Sequence, residues 1–326
     1  MARGSHEIVS VIIPCCNEEG TVAACLARMR AVAEDLPEYD VEFLFVDDGS
    51  RDATNAILVD EAAQDFRVKV VTLSRNFGHQ RAITAGLDLC SGDYIVIIDA
   101  DLQNPPEHIP AILERLKEGY DLVHMVRANR QVDSVWKRVS ARGFYALMRR
   151  YVLPELPENA PDFKGFNRRV LEALRQYPER VRFLRGLFAT LGFRQTTLAY
   201  TREARHAGRS KYPLSRILAF GRDAVASFSV IPLRLSLAAG MVTCLAAVVF
   251  LAACGLRHWA GSGLRDPVLM ILITLLIGLS GLILVTLGIV GEYLGCMMRE
   301  LKQRPLYLVE SVRNLTPPRA PEDRAP

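Results

Sequence analysis

Asp99-Ala100-Asp101 stands directly after a short apolar run, Tyr94–Ile98. Two carboxylates two residues apart, just past the end of a buried strand, can converge on one hard cation. Mg²⁺ takes few protein carboxylates and completes its shell with phosphate oxygens and water, so the pair points to a metal holding a diphosphate. Such a metal acts as a Lewis acid on a leaving phosphate. Acid pairs are common on surfaces, and it is the position after YIVII that carries the weight.

Other polar clusters follow the same pattern. Asn17-Glu18-Glu19 comes after the first apolar run, and Asp47-Asp48-Gly49-Ser50 ends the second. Carboxylates there can accept hydrogen bonds from ribose hydroxyls or a base N–H. Asp48–Asp52 reads equally as a turn and helix cap. Ser74–Gly78 follows the third run, and its glycine permits close backbone approach, so Asn76 and Gly78 are further candidates for the same ligand. Arg205, Ser210 and Lys211 lie in a basic loop whose donors suit phosphate oxygens. Arg127 and Arg130 offer a second clamp. Asp162, in a polar loop, is a candidate base or a turn residue.

These residues need a frame. Apolar β-branched runs (Ile8–Pro14, Val41–Val46, Val68–Leu73, Tyr94–Ile98, Asp121–Val126) alternate with stretches of helical spacing (Gly20–Leu36, Asp52–Asp65, Gln80–Cys90, Pro106–Glu118). That order predicts right-handed βαβ units, an α/β class and a mainly parallel sheet. Ligands bind such sheets beyond the carboxyl ends of the strands, where the acidic clusters stand. After Val132 the pattern is mixed: a basic amphipathic helix over Ser134–Tyr151, a loop over 159–164, a helix over Arg168–Tyr177 and an edge strand over Phe193–Tyr200.

The 326 residues are 50% hydrophobic and 23% charged, which excludes a disordered or collagen-like chain. Leu235–Leu256 and Val268–Gly291 contain no charge. As helices each would reach about 33–36 Å, enough for a hydrocarbon core of about 30 Å. Leu214–Ser229 has the spacing of an interfacial amphipathic helix. Arg and Lys flank the two spans on the sides away from their connection. The positive-inside rule therefore places both termini and the catalytic part in the cytosol. The N-terminus shows no secretory signal and leads straight into the first strand. The expected division is a catalytic domain over 1–212, a juxtamembrane helix over 213–231, two spans within 232–298, and a cytosolic tail over 299–326, partly disordered. Seven cysteines without a C-x-x-C pair fit neither a disulfide framework nor a zinc site. A net charge of +4, with the basic residues gathered beside the spans, favours anionic lipid over nucleic acid.

Taken together, VSVIIPCCNEE (9–19), FVDDGSRD (45–52), LSRNFGHQRAITAGLD (73–88) and DADLQNPPE (99–107) resemble the family 2 glycosyltransferases. PDFKGFNRRV (161–170), RHAGRSKYPLSRI (205–217), SFSVIPLRL (227–235) and GIVGEYLG (288–295) resemble, more narrowly, the polyisoprenyl-phosphate branch. That branch includes dolichyl-phosphate mannose synthases and bactoprenol glucosyltransferases, and the two-span C-terminus matches the latter type best. The resemblance implies a GT-A (Rossmann-like) fold. It implies metal contacts, to Mg²⁺ or Mn²⁺, at Asp99, Asp101 and Gln103. It implies contacts to a nucleotide-sugar, UDP-linked, near Pro14, Asn17, Glu18, Asp47 and Asp48, with Ala100 inside the metal motif. It implies acceptor-phosphate contacts at Arg127, Arg205, Ser210 and Lys211. Asp101 and Asp162 are the residues expected closest to the chemistry. The implied reaction is transfer of a hexose to polyprenyl (undecaprenyl) phosphate at the cytosolic leaflet, with inversion, by an enzyme of the cytoplasmic membrane; homo-oligomers fit this type. Cys15-Cys16 departs from the residues usual in the first motif. A processive polysaccharide synthase would carry Q-x-x-R-W, absent here, and a non-catalytic nucleotide-sugar sensor would not need the intact acid pair.

Overall fold

The computed structural model describes residues 6–128, 161–180, 182–201, 231–259 and 267–315. The chain divides into two compact units, Met1–Pro213 with Arg304–Pro326, and Leu214–Gln303.

The first unit is built on one eight-stranded sheet. Its strands are β1 (Glu7–Cys15), β2 (Tyr39–Asp47), β3 (Val68–Leu73), β4 (Tyr94–Ile97), β5 (Leu122–Arg127), β6 (Lys164–Asn167), β7 (Gln195–Tyr200) and β8 (Val309–Arg313), in the order β7-β5-β6-β4-β1-β2-β3-β8. The helices are α1 (Val22–Glu34), α2 (Thr54–Gln64), α3 (His79–Leu89), α4 (Ile109–Lys117), α5 (Arg168–Arg175) and α6 (Leu184–Thr190). β1 lies parallel to β2 and β4, β2 to β3, and β5 to β7. β6 runs antiparallel to β4 and β5, and β8 to β3. The α/β architecture with a mainly parallel sheet is thus the expected one.

β1 sits between two parallel neighbours and under helices, so both of its faces are dry. Val9 through Cys15 are all buried, and a β-branched run without alternation is what such a strand requires. The same burial makes the sheet a rigid platform whose carboxyl-end loops hold their positions.

Three elements depart from the sequence pattern. Of the loop expected over 159–164, residues 161–163 lead into β6, a short strand of Lys-Gly-Phe-Asn that takes in Lys164, and residues 159–160 lie outside the described residues. Its second residue is glycine because a Cβ there would stand 2.2 Å from the Ile112 side chain of α4. α6 was not foreseen. Within the tail expected over 299–326, residues 309–313 form β8, an edge strand. The helices predicted over 134–151 and 214–229 lie outside the described residues.

The second unit contains α7 (Ile231–Trp259, 29 residues) and α8 (Pro267–Leu301, 35 residues), which pack against each other. Leu237, Leu245 and Leu256 on α7 and Leu276 and Leu284 on α8 are each about two-thirds exposed. Among the described residues, one stretch, Gly278–Leu301, is long and apolar enough by length and composition to cross a membrane. Of the two spans expected from the sequence, this is the one the structure supports. Among the described residues, Cys15, Cys16, Cys25, Cys90 and Cys296 form no disulfide.

Candidate active site

Three loops leave the carboxyl ends of β1, β2 and β3 and are tied to one another by the acidic residues. Asn17 takes a left-handed backbone, φ 53°, which lets the chain turn straight out of β1. Its N–H donates to Ser50 Oγ at 2.9 Å, and its Oδ1 accepts from the Arg51 N–H at 2.8 Å. The Glu18 N–H donates to Thr54 Oγ1 at 2.8 Å. Asp47 Oδ1 accepts from the Ser50 N–H and Oδ2 from Asn55 Nδ2, at 3.0 and 2.9 Å. Asp48 reaches the next loop and accepts the Phe77 and Gly78 N–H groups at 2.7 and 2.9 Å. Burial pushes the Asp48 carboxyl above its ordinary range despite those donors. Gly49 makes the approach possible, because a Cβ there would lie 2.4 Å from the Arg75 carbonyl carbon. Asp48 therefore holds two loops together, while Asp47 faces a cavity of about 460 Å³ lined also by Ser50, Asn55, Arg75, Glu310 and Ser311. Asn76 Nδ2 contacts Cys16 Sγ at 3.1 Å, and Gly78 caps α3 at φ 101°. Pro14 is buried in β1 opposite Val46. A second cavity, of about 520 Å³ and lined by Glu7, Asp93 and Arg168, lies at the opposite, amino ends of β1 and β4. That is the end of a parallel sheet where ligands do not bind.

The second cluster follows β4. Leu102 turns the Asp-x-Asp loop with φ 59°, and Asp101 Oδ1 accepts from the Gln103 N–H at 3.1 Å. Gln103, expected as a metal contact, is buried, and its backbone rather than its amide meets Asp101. Ala100 is buried beneath the loop. Asp99 Oδ2 accepts from Asn104 Nδ2 at 3.1 Å, and Asn104 Oδ1 accepts from the Tyr200 hydroxyl at 2.7 Å. Arg127 Nε donates to the same hydroxyl at 3.3 Å, so this clamp candidate is linked to Asp99 through Tyr200 and Asn104.

Asp162 is drawn into this cluster from the segment before β6. It accepts Arg185 Nε and Nη2 at 2.9 and 3.1 Å and Gln80 Nε2 at 3.2 Å. His79 Nε2 lies 3.3 Å from Asp162 and 3.5 Å from Asp99. Burial would raise the Asp162 pKa, but the Arg185 charge and the His79 and Arg185 hydrogen bonds outweigh it and hold the carboxyl well below its usual range. Burial would lower His79; Asp162 and Asp99 outweigh that and raise it to about 9. Burial is also the main reason Asp99 is pushed up. A carboxylate as acidic as Asp162 is a weak base, so its geometry is that of a positioning group.

The acid pair fits a hard cation. Asp99 is a half-buried carboxylate, its side chain 29% exposed, so an incoming ligand or ion can reach it. Among the described residues no group of three His, Cys, Asp or Glu side chains is arranged to hold a metal ion by itself. Sequence reasoning missed His79, Gln80, Arg185, Asn104 and Tyr200. His79 and Gln80 lie inside the 73–88 motif, just past Gly78; Arg185 has no local signal. Arg130, Arg205, Ser210 and Lys211 lie outside the described residues.

The glycosyl transferase family 2 profile matches residues 10–175, the span that holds Asp47, Asp48, Asp99, Asp101 and Asp162. An uncharacterized glycosyltransferase of Bacillus subtilis, YkcC, is 38% identical over 94% of each chain. The bactoprenol glucosyl transferase of Shigella phage SfX is 34% identical over 93% of this chain and 99% of its own. A solved glucosyl-3-phosphoglycerate synthase from Mycobacterium tuberculosis aligns with TM-score 0.46 and 23% identity over 68% of this chain and 78% of its own. The motifs at the strand ends, the family match across them and these near-full-length relatives agree: the chain is a glycosyltransferase and belongs to glycosyltransferase family 2.

Proposed function

We propose that the chain transfers a hexose from a nucleotide-sugar, UDP-glucose or another UDP-hexose, to polyprenyl phosphate at the cytosolic leaflet of a membrane. The observation that carries this reading is the reach of the similarity to bactoprenol glucosyl transferases. It runs through both apolar helices as well as the catalytic unit.

In this reading the nucleoside occupies the cavity at the ends of β2 and β3, and its diphosphate points toward Asp99 and Asp101. Mg²⁺ or Mn²⁺ held by those carboxylates supplies Lewis acidity toward the leaving diphosphate. An acceptor phosphate oxygen attacks the anomeric carbon, the bond from that carbon to the donor's phosphate oxygen breaks, and UDP leaves with the electron pair. One displacement inverts the centre. The acceptor phosphate is already ionised near neutrality, so no strong base is needed, in keeping with an Asp162 engaged by Arg185. Asp162 instead fixes His79 beside Asp99, a charge arrangement that acts by preorganisation. Arg127 and Arg130, with Arg205, Ser210 and Lys211 from the basic loop, are proposed to hold the acceptor phosphate.

The test is a screen of radiolabelled nucleotide-sugars against undecaprenyl phosphate with each divalent metal. Label passing into the organic phase with one UDP-hexose and a divalent ion is the expected result. Transfer only to water-soluble acceptors overturns the proposal.

A further inference from the structure

We propose that β8, the strand that follows the second apolar helix, forms a wall of the donor-nucleotide site, and that Glu310 accepts hydrogen bonds from the nucleoside. This rests on the donor reading above and adds a residue that no motif at the strand ends contains.

Two observations carry it. The first is register. Thr72 of β3 faces Ser311 and Leu73 faces Val309, so the ladder skips Glu310, which sits in a β-bulge. Bulges re-aim a side chain and are frequent beside active sites. The strand around it is firmly held. The Ser74 N–H donates to the Leu308 carbonyl at 3.0 Å, and Asn314 Nδ2 donates to the Ala62 and Val68 carbonyls at 2.6 and 2.9 Å. The Tyr307 hydroxyl donates to Asp88 Oδ2 at 2.9 Å. The irregularity is therefore a local feature of a strand anchored on both sides of it.

The second observation is place. Glu310 and Ser311 line the cavity that Asp47 and Asn55 line from the opposite side. Asn55 Nδ2 donates to both Asp47 Oδ2 and Thr72 Oγ1, which joins the acid end of β2 to the residue facing Ser311. Arg51 and Arg75 line the same cavity and balance the charge of Asp47 and Glu310. The two carboxylates stand as acceptors on its walls, and ribose hydroxyls or a base N–H are the groups of a nucleotide that can donate to them.

The experiment uses the full chain in detergent with Mn²⁺, and calorimetry of UDP and of uridine with wild type, Glu310→Ala and Glu310→Gln. For Glu310→Ala the Kd of UDP is expected to rise about tenfold, the size of one charge-assisted hydrogen bond. Uridine should weaken by a similar factor. Glu310→Gln, which keeps an oxygen acceptor, should lose less. Glu310 is exposed, so an unchanged melting temperature is expected and serves as the folding control. If both variants bind within twofold of wild type, or if the loss appears for UDP and not for uridine, the assignment of Glu310 is overturned. If the wild type binds none of UDP, GDP, CDP and ADP, the donor reading itself falls, which is a distinguishable failure.

Discussion

At the scale of single residues, the acids at the strand ends divide into two kinds of work. Asp48 spends both oxygens on the backbone of the next loop, and Asp162 spends both on Arg185 and its neighbours. Asp101 accepts from the Gln103 N–H, and Asp99 accepts from Asn104 and lies 3.5 Å from His79; on the donor reading these two are the acids that face a cation. Asp101→Asn keeps the size and the acceptor oxygen for the Gln103 N–H but removes the charge. Transfer is expected to fall by ~10²-fold or more, the scale seen when one charge-stabilising group is removed, with the melting temperature unchanged. Assays of label transfer beside thermal melts check this; a fully active Asp101→Asn would remove the metal proposal. The distinction between the two kinds of acid was not legible in the sequence. D-D-G-S and D-x-D look alike on paper, and only the partners brought by other segments separate them. Arg185 is such a partner, placed by tertiary packing with no motif around it.

At the scale of elements, the sheet's central strands were legible because double-sided burial demands continuous apolar β-branched runs. β6 and β8 were not legible. β6 is four residues with a glycine, and β8 is Val-Glu-Ser-Val-Arg at an edge, with no regular alternation; both exist because a neighbouring strand offers a ladder. That dependence makes β6 sensitive to close packing. In Gly165→Ala the new methyl would stand 2.2 Å from Ile112 Cγ2 of α4, a buried side chain. Overpacking of this kind costs about 1–3 kcal/mol, and a lowered denaturant midpoint at constant slope is the expected reading. A second test concerns Glu42, which ties β2 to its neighbours by accepting from Ser10 Oγ, Lys69 Nζ and both the N–H and Oγ of Ser91. Burial would raise its pKa, but these partners outweigh it and lower it below the model-peptide value of 4.5. A carboxyl depressed on folding stabilises the protein above its unfolded pKa and loses that contribution as pH falls through the folded pKa. Melts of wild type and Glu42→Gln should therefore converge below about pH 4.5. A gap that stays constant down to pH 3 would show that the hydrogen bonds, and not the charge, do the holding.

At the scale of the whole molecule, the sheet constrains how the chain can cross a membrane. β3 and β8 are hydrogen-bonded neighbours, so residues 68–73 and 309–313 lie on the same side of any bilayer. The number of crossings between them must then be even. Gly278–Leu301 is long and apolar enough to be one crossing. If that stretch crosses, the pairing of β8 with β3 calls for a second crossing. The 29-residue helix Ile231–Trp259, with Leu237, Leu245 and Leu256 bare, is the segment available. Apolar surface of that extent in water is an aggregation liability, whereas lipid covers it without cost. On the membrane reading proposed above, the heavier Arg and Lys content outside the connection would set the direction, with the catalytic unit in the cytosol. The expected outcome is that alkaline phosphatase inserted between Trp259 and Pro267 is active outside the cytoplasmic membrane. The same reporter fused after Pro326 should be inactive. Activity at both places would mean that one helix alone crosses, and the pairing of β8 with β3 could not then survive in the membrane-bound protein.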